Sequence, residues 1–179
     1  MFEKKRVSLG NSRRAQIWIE TVIYTLIALA LIGLVLAFAK PKIDSVRDRM
    51  LIEQTIDSMN KINDQIAEVQ LAPGNRRVLS VKINQGEINV DSTNNSISWA
   101  LNSVYKYSEI DRPVKLGSIY ILTRGNGPYN VSVSSNYGFN LTLDGAKSNY
   151  AFESAPTPYT VTVTSKNVGG LLNVDLSFK

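Results

Sequence analysis

Residues 16–40 read QIWIETVIYTLIALALIGLVLAFAK, and this stretch decides how the rest of the chain must be organised. From Thr21 to Ala39 there are 19 consecutive uncharged residues, mostly Leu, Ile, Val and Ala. A helix of that length covers roughly 28 Å at about 1.5 Å per residue, close to the thickness of a bilayer core. One acid, Glu20, lies within the run counted from Ile17. A chain of 179 residues is too small to enclose such a helix on every face. A membrane-spanning segment is therefore the simpler reading, with Ile17, Trp18, Leu26, Leu29, Gly33 and Leu36 among the residues that would meet lipid or other helices. Gly33 and Ala37 form a small-x-x-x-small pair of the kind that lets helices approach closely.

Charge is concentrated just before this stretch. The formal net charge is +5. Residues 1–15 hold Lys4, Lys5, Arg6, Arg13 and Arg14 against Glu3, a net of +4, which leaves +1 for everything after them. The basic balance thus belongs to a short leader and gives no reason to expect a nucleic-acid partner. A basic leader before an apolar helix places the N-terminus on the cytoplasmic side. Lys40, Lys42, Arg47 and Arg49 put bases on the other flank as well. The chain has no Cys and no His. That excludes disulfides, thiolate nucleophiles, His general bases and Cys- or His-ligated metals. No metal or cofactor is expected, and no enzymatic activity.

Beyond the apolar run the helical period continues in a different register. Ile43, Val46, Ile52, Ile56, Met59, Ile62, Ile66 and Val69 recur at three, four and six residues, with charged residues between them. This predicts an amphipathic extension with a narrow apolar stripe. Pro41 removes one helix hydrogen bond at the junction and predicts a kink there. Pro73-Gly74 predicts the end of the helix. From about Arg76 the period becomes two: Leu79, Val81 and Ile83; Ile88 and Val90; Ile97, Trp99 and Leu101; Val131 and Val133; Leu141 and Leu143; Val161 and Val163; Leu172, Val174, Leu176 and Phe178. Gly117–Thr123 reads as a more continuous apolar run. Turn signals at Gln85-Gly86, Gly125–Pro128, Asn136–Gly138, Asp144-Gly145 and Gly169-Gly170 separate the runs. The expected fold is α+β: one long N-terminal helix, hydrophobic then amphipathic and kinked near Pro41, followed by an antiparallel β-sandwich-like domain of about eight strands. The expected organisation is a leader over 1–15, a helix over 16–71 and a β-domain over 76–179.

The junction between leader and helix has a pattern of its own. An ordinary secretory signal is cut after its apolar stretch, beside small residues. Here Ala39-Lys40-Pro41 is a poor site for that, and the charge transition instead precedes the stretch, at Arg13-Arg14-Ala15-Gln16, with Glu20 four residues after Gln16. This constellation resembles the class III signal peptide of archaeal type IV pilin-like proteins and archaellins, with Ala15 standing where Gly is commoner. The resemblance covers residues 1 to about 45, and beyond that only the outline of helix then β-domain. It implies cleavage between Ala15 and Gln16 by a prepilin peptidase, with Arg14, Ala15 and Gln16 forming the processing site. It also implies that Glu20 of one subunit meets the new amine at Gln16 of a neighbour during assembly. The other reading of Glu20 is an acid at the membrane edge, reaching the headgroups beside Trp18.

Other candidate sites are weaker. Three sequons, at Asn94, Asn130 and Asn140, are possible glycosylation sites, with Asn130 and Asn140 on the polar positions of their strands. Seven tyrosines between Tyr105 and Tyr159 offer adhesive area or ordinary packing. Glu109 and Asp111 form the nearest carboxylate pair, a pattern that suits a solvated loop better than a glycosidase. The expected protein is a structural subunit of a type IV pilus-like filament. Its expected partners are copies of itself or related pilins, the prepilin peptidase, the membrane before assembly and the pilus assembly platform. The precursor would lie in the cell membrane and the mature chain in a cell-surface filament, with the β-domain extracellular. The alternative is an uncleaved membrane-anchored extracellular binding module with a β-sandwich head.

Overall fold

The computed structural model describes residues 12–72 and 74–179, without the side chains of residues 12–16 and of Val168. The leader residues 1–11, including Lys4, Lys5 and Arg6, lie outside the described residues.

Helix α1 spans Ser12–Gln70. It starts earlier than the expected Gln16, so the Ala15–Gln16 bond lies within its first turns. Pro41 lies inside α1, where its nitrogen offers no donor to the carbonyl of Ala37. The chain divides into two compact units between Ile43 and Asp44, so the amphipathic part of α1 belongs to the same unit as the strands.

Every large apolar residue from Ile17 to Phe38 is exposed. The hydroxyls of Thr21 and Thr25 donate back to the carbonyls of Ile17 (2.9 Å) and Thr21 (2.8 Å). Both polar side chains are thereby satisfied within the helix, as a segment in hydrocarbon requires.

The second unit contains ten strands. They are β1 (Arg76–Val81), β2 (Glu87–Asp91), β3 (Ser96–Ser103), β4 (Val114–Leu116), β5 (Ile119–Arg124), β6 (Tyr129–Asn136), β7 (Asn140–Leu143), β8 (Asn149–Glu153), β9 (Tyr159–Val168) and β10 (Leu171–Phe178). They form a four-stranded sheet, β1-β9-β10-β7, and a six-stranded sheet, β4-β5-β6-β3-β2-β8. The pairings are antiparallel except for β7 with β10, which is parallel. The fold is α+β with two sheets and no closed barrel.

Alternation decides which side chains are buried. In β3 every second residue from Ile97 points inward, so Ile97, Trp99, Leu101 and Ser103 are buried. Val131, Val133 and Ser135 of β6 do the same. The amphipathic stripe of α1 completes this core: Ile52, Ile56, Met59, Ile62, Ile66 and Val69 are buried in one cluster with the inward residues of both sheets. The upper part of the stripe does not join it, since Ile43 and Val46 are exposed.

Two strands escape the periodic reading. Strand β4 is too short to show alternation, and β8 is an edge strand whose residues are largely exposed. The run Gly117–Thr123 begins in a turn at Gly117 (φ 62°) between β4 and β5, and from Ile119 it alternates, with Ile119, Ile121 and Thr123 buried. Gly86 occupies a tighter place: a Cβ there would lie 2.0 Å from the carbonyl oxygen of Ala100.

Candidate functional site

The candidate site is α1 itself, whose upper part is uncovered and whose lower part is anchored. The apolar stretch at the start of Ile17–Gln70 is wholly uncovered. Helix length and composition suffice for membrane association. Trp18, Leu26, Leu29 and Leu36 all point into open space. Nothing lies within 4 Å of a Cβ built at Gly33, so this glycine serves no contact within the single chain. Glu20 is exposed. Arg14, Ala15 and Gln16 are helical in backbone, and their side chains are outside the described residues.

Anchorage of the lower part combines apolar packing with placed polar contacts. Asn63 lies within the apolar stripe and is buried. Its amide donates to Ser118 Oγ (3.0 Å) and Ser135 Oγ (2.9 Å), and its Oδ1 accepts from the Tyr137 hydroxyl (2.6 Å). Burial pushes the Tyr137 phenol well above its usual range, so it stays a neutral donor. Near the end of α1, Ser165 Oγ donates to the carbonyl of Val69 at 2.5 Å, covering one of the helix's terminal acceptors.

Polar side chains also hold the rims. Asp48 accepts the backbone N–H of Val104 at 2.6 Å. Arg49 pairs with Glu53 at 2.9 Å, and its guanidinium lies 6.0 Å from the Tyr105 ring centre. That pairing raises the Arg49 pKa, chiefly through the hydrogen bond to Glu53. Arg77 of β1 pairs with Glu68 at 2.9 Å. Such exposed pairs contribute little stability.

The other expected sites are scattered. Asn94 and Asn130 are exposed, whereas Asn140 is half-buried. Asn94 is also held by Asp91, through its backbone N–H (3.0 Å) and its side-chain amide (2.7 Å). Five tyrosines, Tyr105, Tyr107, Tyr129, Tyr137 and Tyr159, pack against the core and do not form a common outer surface. Glu109 pairs with Lys106 at 3.4 Å, and Asp111 sits in a left-handed turn (φ 56°) whose N–H donates to the Thr123 carbonyl. Among the described residues no group of three or more carboxylates is placed to hold a metal ion.

A cleft of about 200 Å³ beside α1 is lined by Gln54, Asp57, Lys61, Lys82, Asn84 and Trp99. Its polar groups are largely committed. Lys82 donates to the carbonyls of Ala155 and Pro156, Asn84 donates to Gln54, and the Trp99 indole donates to the Gln85 carbonyl.

The periodic reading missed Asn63, because a lone Asn in an apolar stripe looks like an interruption. No known protein family, curated protein or solved structure matches this chain.

Proposed function

We propose that this chain is the structural subunit of an archaeal type IV pilus-like surface filament, for adhesion or motility. It would be inserted in the membrane as a precursor, cut before Gln16 and assembled through the N-terminal part of α1. The observation that carries this reading is a single helix with two fates. Its lower half is locked into the head by Ile52–Val69 and Asn63, while every large apolar side chain of its upper half is left uncovered. Such a surface can face lipid first and neighbouring helices later, without a change in the head.

The leader and junction support the same reading. A basic segment ending at Arg14-Ala15, followed by Gln16 and Glu20, fits processing on the cytoplasmic side and pairing of Glu20 with a new terminal amine. A carboxylate near the start of an apolar helix gains from such a partner. On this reading the role is structural, and the head lies outside the cell.

The test is the mature N-terminus in the native host, read by N-terminal sequencing of sheared surface material together with electron microscopy. Filaments built from a chain beginning at Gln16 are expected. A chain that keeps residues 1–15 and stays in the membrane as single copies would replace this reading with that of an anchored binding module.

A further inference from the structure

The six-stranded sheet has two unlike open edges. At one end is β4, beside β5. Its outer face carries Lys115, opposite Tyr120, with the Lys115 ammonium 5.7 Å from the Tyr120 ring centre. Arg124 follows two positions after Leu122 on the same face of β5. At the other end is β8, beside β2. There Glu87 stands directly opposite Glu153 in the register, and both are exposed. Like charges facing each other across a strand pair are unfavourable. Neither carboxylate is in an ion pair among the described residues.

Between these edges the outer faces of β6 and β3 are uncharged, and Asp91 of β2 adds a third acid to the face that carries Glu87 and Glu153. Strand β6 presents Asn130, Ser132, Ser134 and Asn136, and β3 presents Ser98, Ala100 and Asn102. Each edge also keeps apolar surface in the open. Val114 and Leu116 of β4 are 44% and 47% exposed, and Tyr150 of β8 is 58% exposed. An edge strand with exposed apolar groups and free backbone donors and acceptors is a template for pairing with another chain.

We infer that the β8 edge of one copy docks against the β4 edge of the next, with Glu87 and Glu153 meeting Lys115 and Arg124. The occupant is a second copy of this chain, because the complementary charges and apolar side chains lie on opposite edges of the same sheet. The contact is heterologous: each copy offers one edge of each kind. It therefore propagates as an open array and does not close as a dimer. It rests on the proposed filament only in placing many copies side by side, and it adds a head-to-head contact to one made by helices.

The test uses the full native chain in membranes and in surface fractions, with a carbodiimide that joins a carboxylate to an ammonium. Five strand spacings of about 4.8 Å separate β4 from β8 and four separate it from β2, roughly 24 and 19 Å, so a Lys115–Glu153 or Lys115–Glu87 link cannot form within one chain. Mass spectrometry should find one of these links, and electrophoresis should show a ladder extending past the dimer. Linked dimers with nothing larger would overturn the open array. Filaments without either link would overturn this contact and leave the filament reading standing. Links and a ladder without filaments would keep the contact and remove the filament reading. As a second measurement, Glu87→Lys with Glu153→Lys should lower sedimented assembly about tenfold or more, since like charges then face each other. Adding Lys115→Glu and Arg124→Glu should restore it. Assembly unchanged by the first pair would overturn the proposal.

Discussion

The hydroxyl of Tyr137 donates a 2.6 Å hydrogen bond to Oδ1 of Asn63, joining the end of β6 to the middle of α1 across 74 residues of sequence. Asn63 returns its two amide protons to Ser118 and Ser135, so one helix residue ties together the β4–β5 turn and strand β6. A buried network of this kind is favourable only while every member is satisfied. It therefore fixes where along the sheet the helix can sit.

Removing the centre of that network should cost more than removing one arm. Asn63→Ala leaves Tyr137, Ser118 and Ser135 without their partner and is expected to destabilise the head by about 2–3 kcal/mol, whereas Tyr137→Phe should cost about 1 kcal/mol. Urea unfolding of the full chain in detergent, followed by Trp fluorescence, measures both.

The same phenol makes stability depend on alkaline pH. Burial raises the Tyr137 pKa above its ordinary value of 10.0. Its contribution is complete below that pH and is lost as the pH climbs from there towards the folded value. Burial raises Tyr107 in the same direction. Tyr137→Phe should flatten most of this alkaline limb. At acid pH the sign reverses for Asp91, whose pKa lies below 3.8, chiefly through the backbone N–H of Asn94 and then its side-chain amide. Its contribution is present above 3.8 and fades as the pH falls through the folded value. Asp91→Asn should remove that acid dependence from the turn's amide exchange.

Gly86→Ala is expected to be among the most damaging small substitutions in the head. The new Cβ would lie 2.0 Å from the Ala100 carbonyl oxygen and 2.9 Å from the Leu101 Cβ, on a backbone at φ 79°. A loss well above about 2 kcal/mol should appear in thermal or urea unfolding.

Gly33→Leu should separate folding from assembly. Nothing in the chain lies within 4 Å of a Cβ at this position, so head stability should stay within about 0.5 kcal/mol of the native value. Sedimented filament yield should fall if neighbouring helices approach here. Undiminished yield would show that Gly33 and Ala37 are incidental to packing.

Glu20→Ala should still enter the membrane and be cut before Gln16, because the apolar run after it is untouched. Filament yield, counted by electron microscopy, should drop steeply. Normal yield would make Glu20 an interfacial acid beside Trp18.

Much of this molecule is written in local patterns. The run from Ile17 to Ala39 is apolar at every turn of a helix, and no folding partner is needed to read it. The strands around Trp99, Val133, Val163 and Leu176 show their inward faces by strict alternation, since a half-buried sheet imposes a period of two. The glycine-containing turn signals mark where that period must stop, and Pro73-Gly74 marks the end of the helical period before it.

Tertiary structure decided what those faces meet. The stripe from Ile52 to Val69 announced a surface in need of cover without saying what covers it. Packing settled it in favour of the sheets: Ile52 to Val69 share one core with the strands, in the unit that begins at Asp44. Asn63 became legible only when Ser118, Ser135 and Tyr137 arrived from 55 to 74 residues away. Strand order was equally out of reach, because alternation gives each strand two faces and says nothing about its neighbours. Only the sheet order placed Lys115 at one edge and the facing pair Glu87 and Glu153 at the other. Local sequence fixes which surfaces must be covered, through the periods of helix and strand; which surface covers which depends on long-range contacts that no local period encodes.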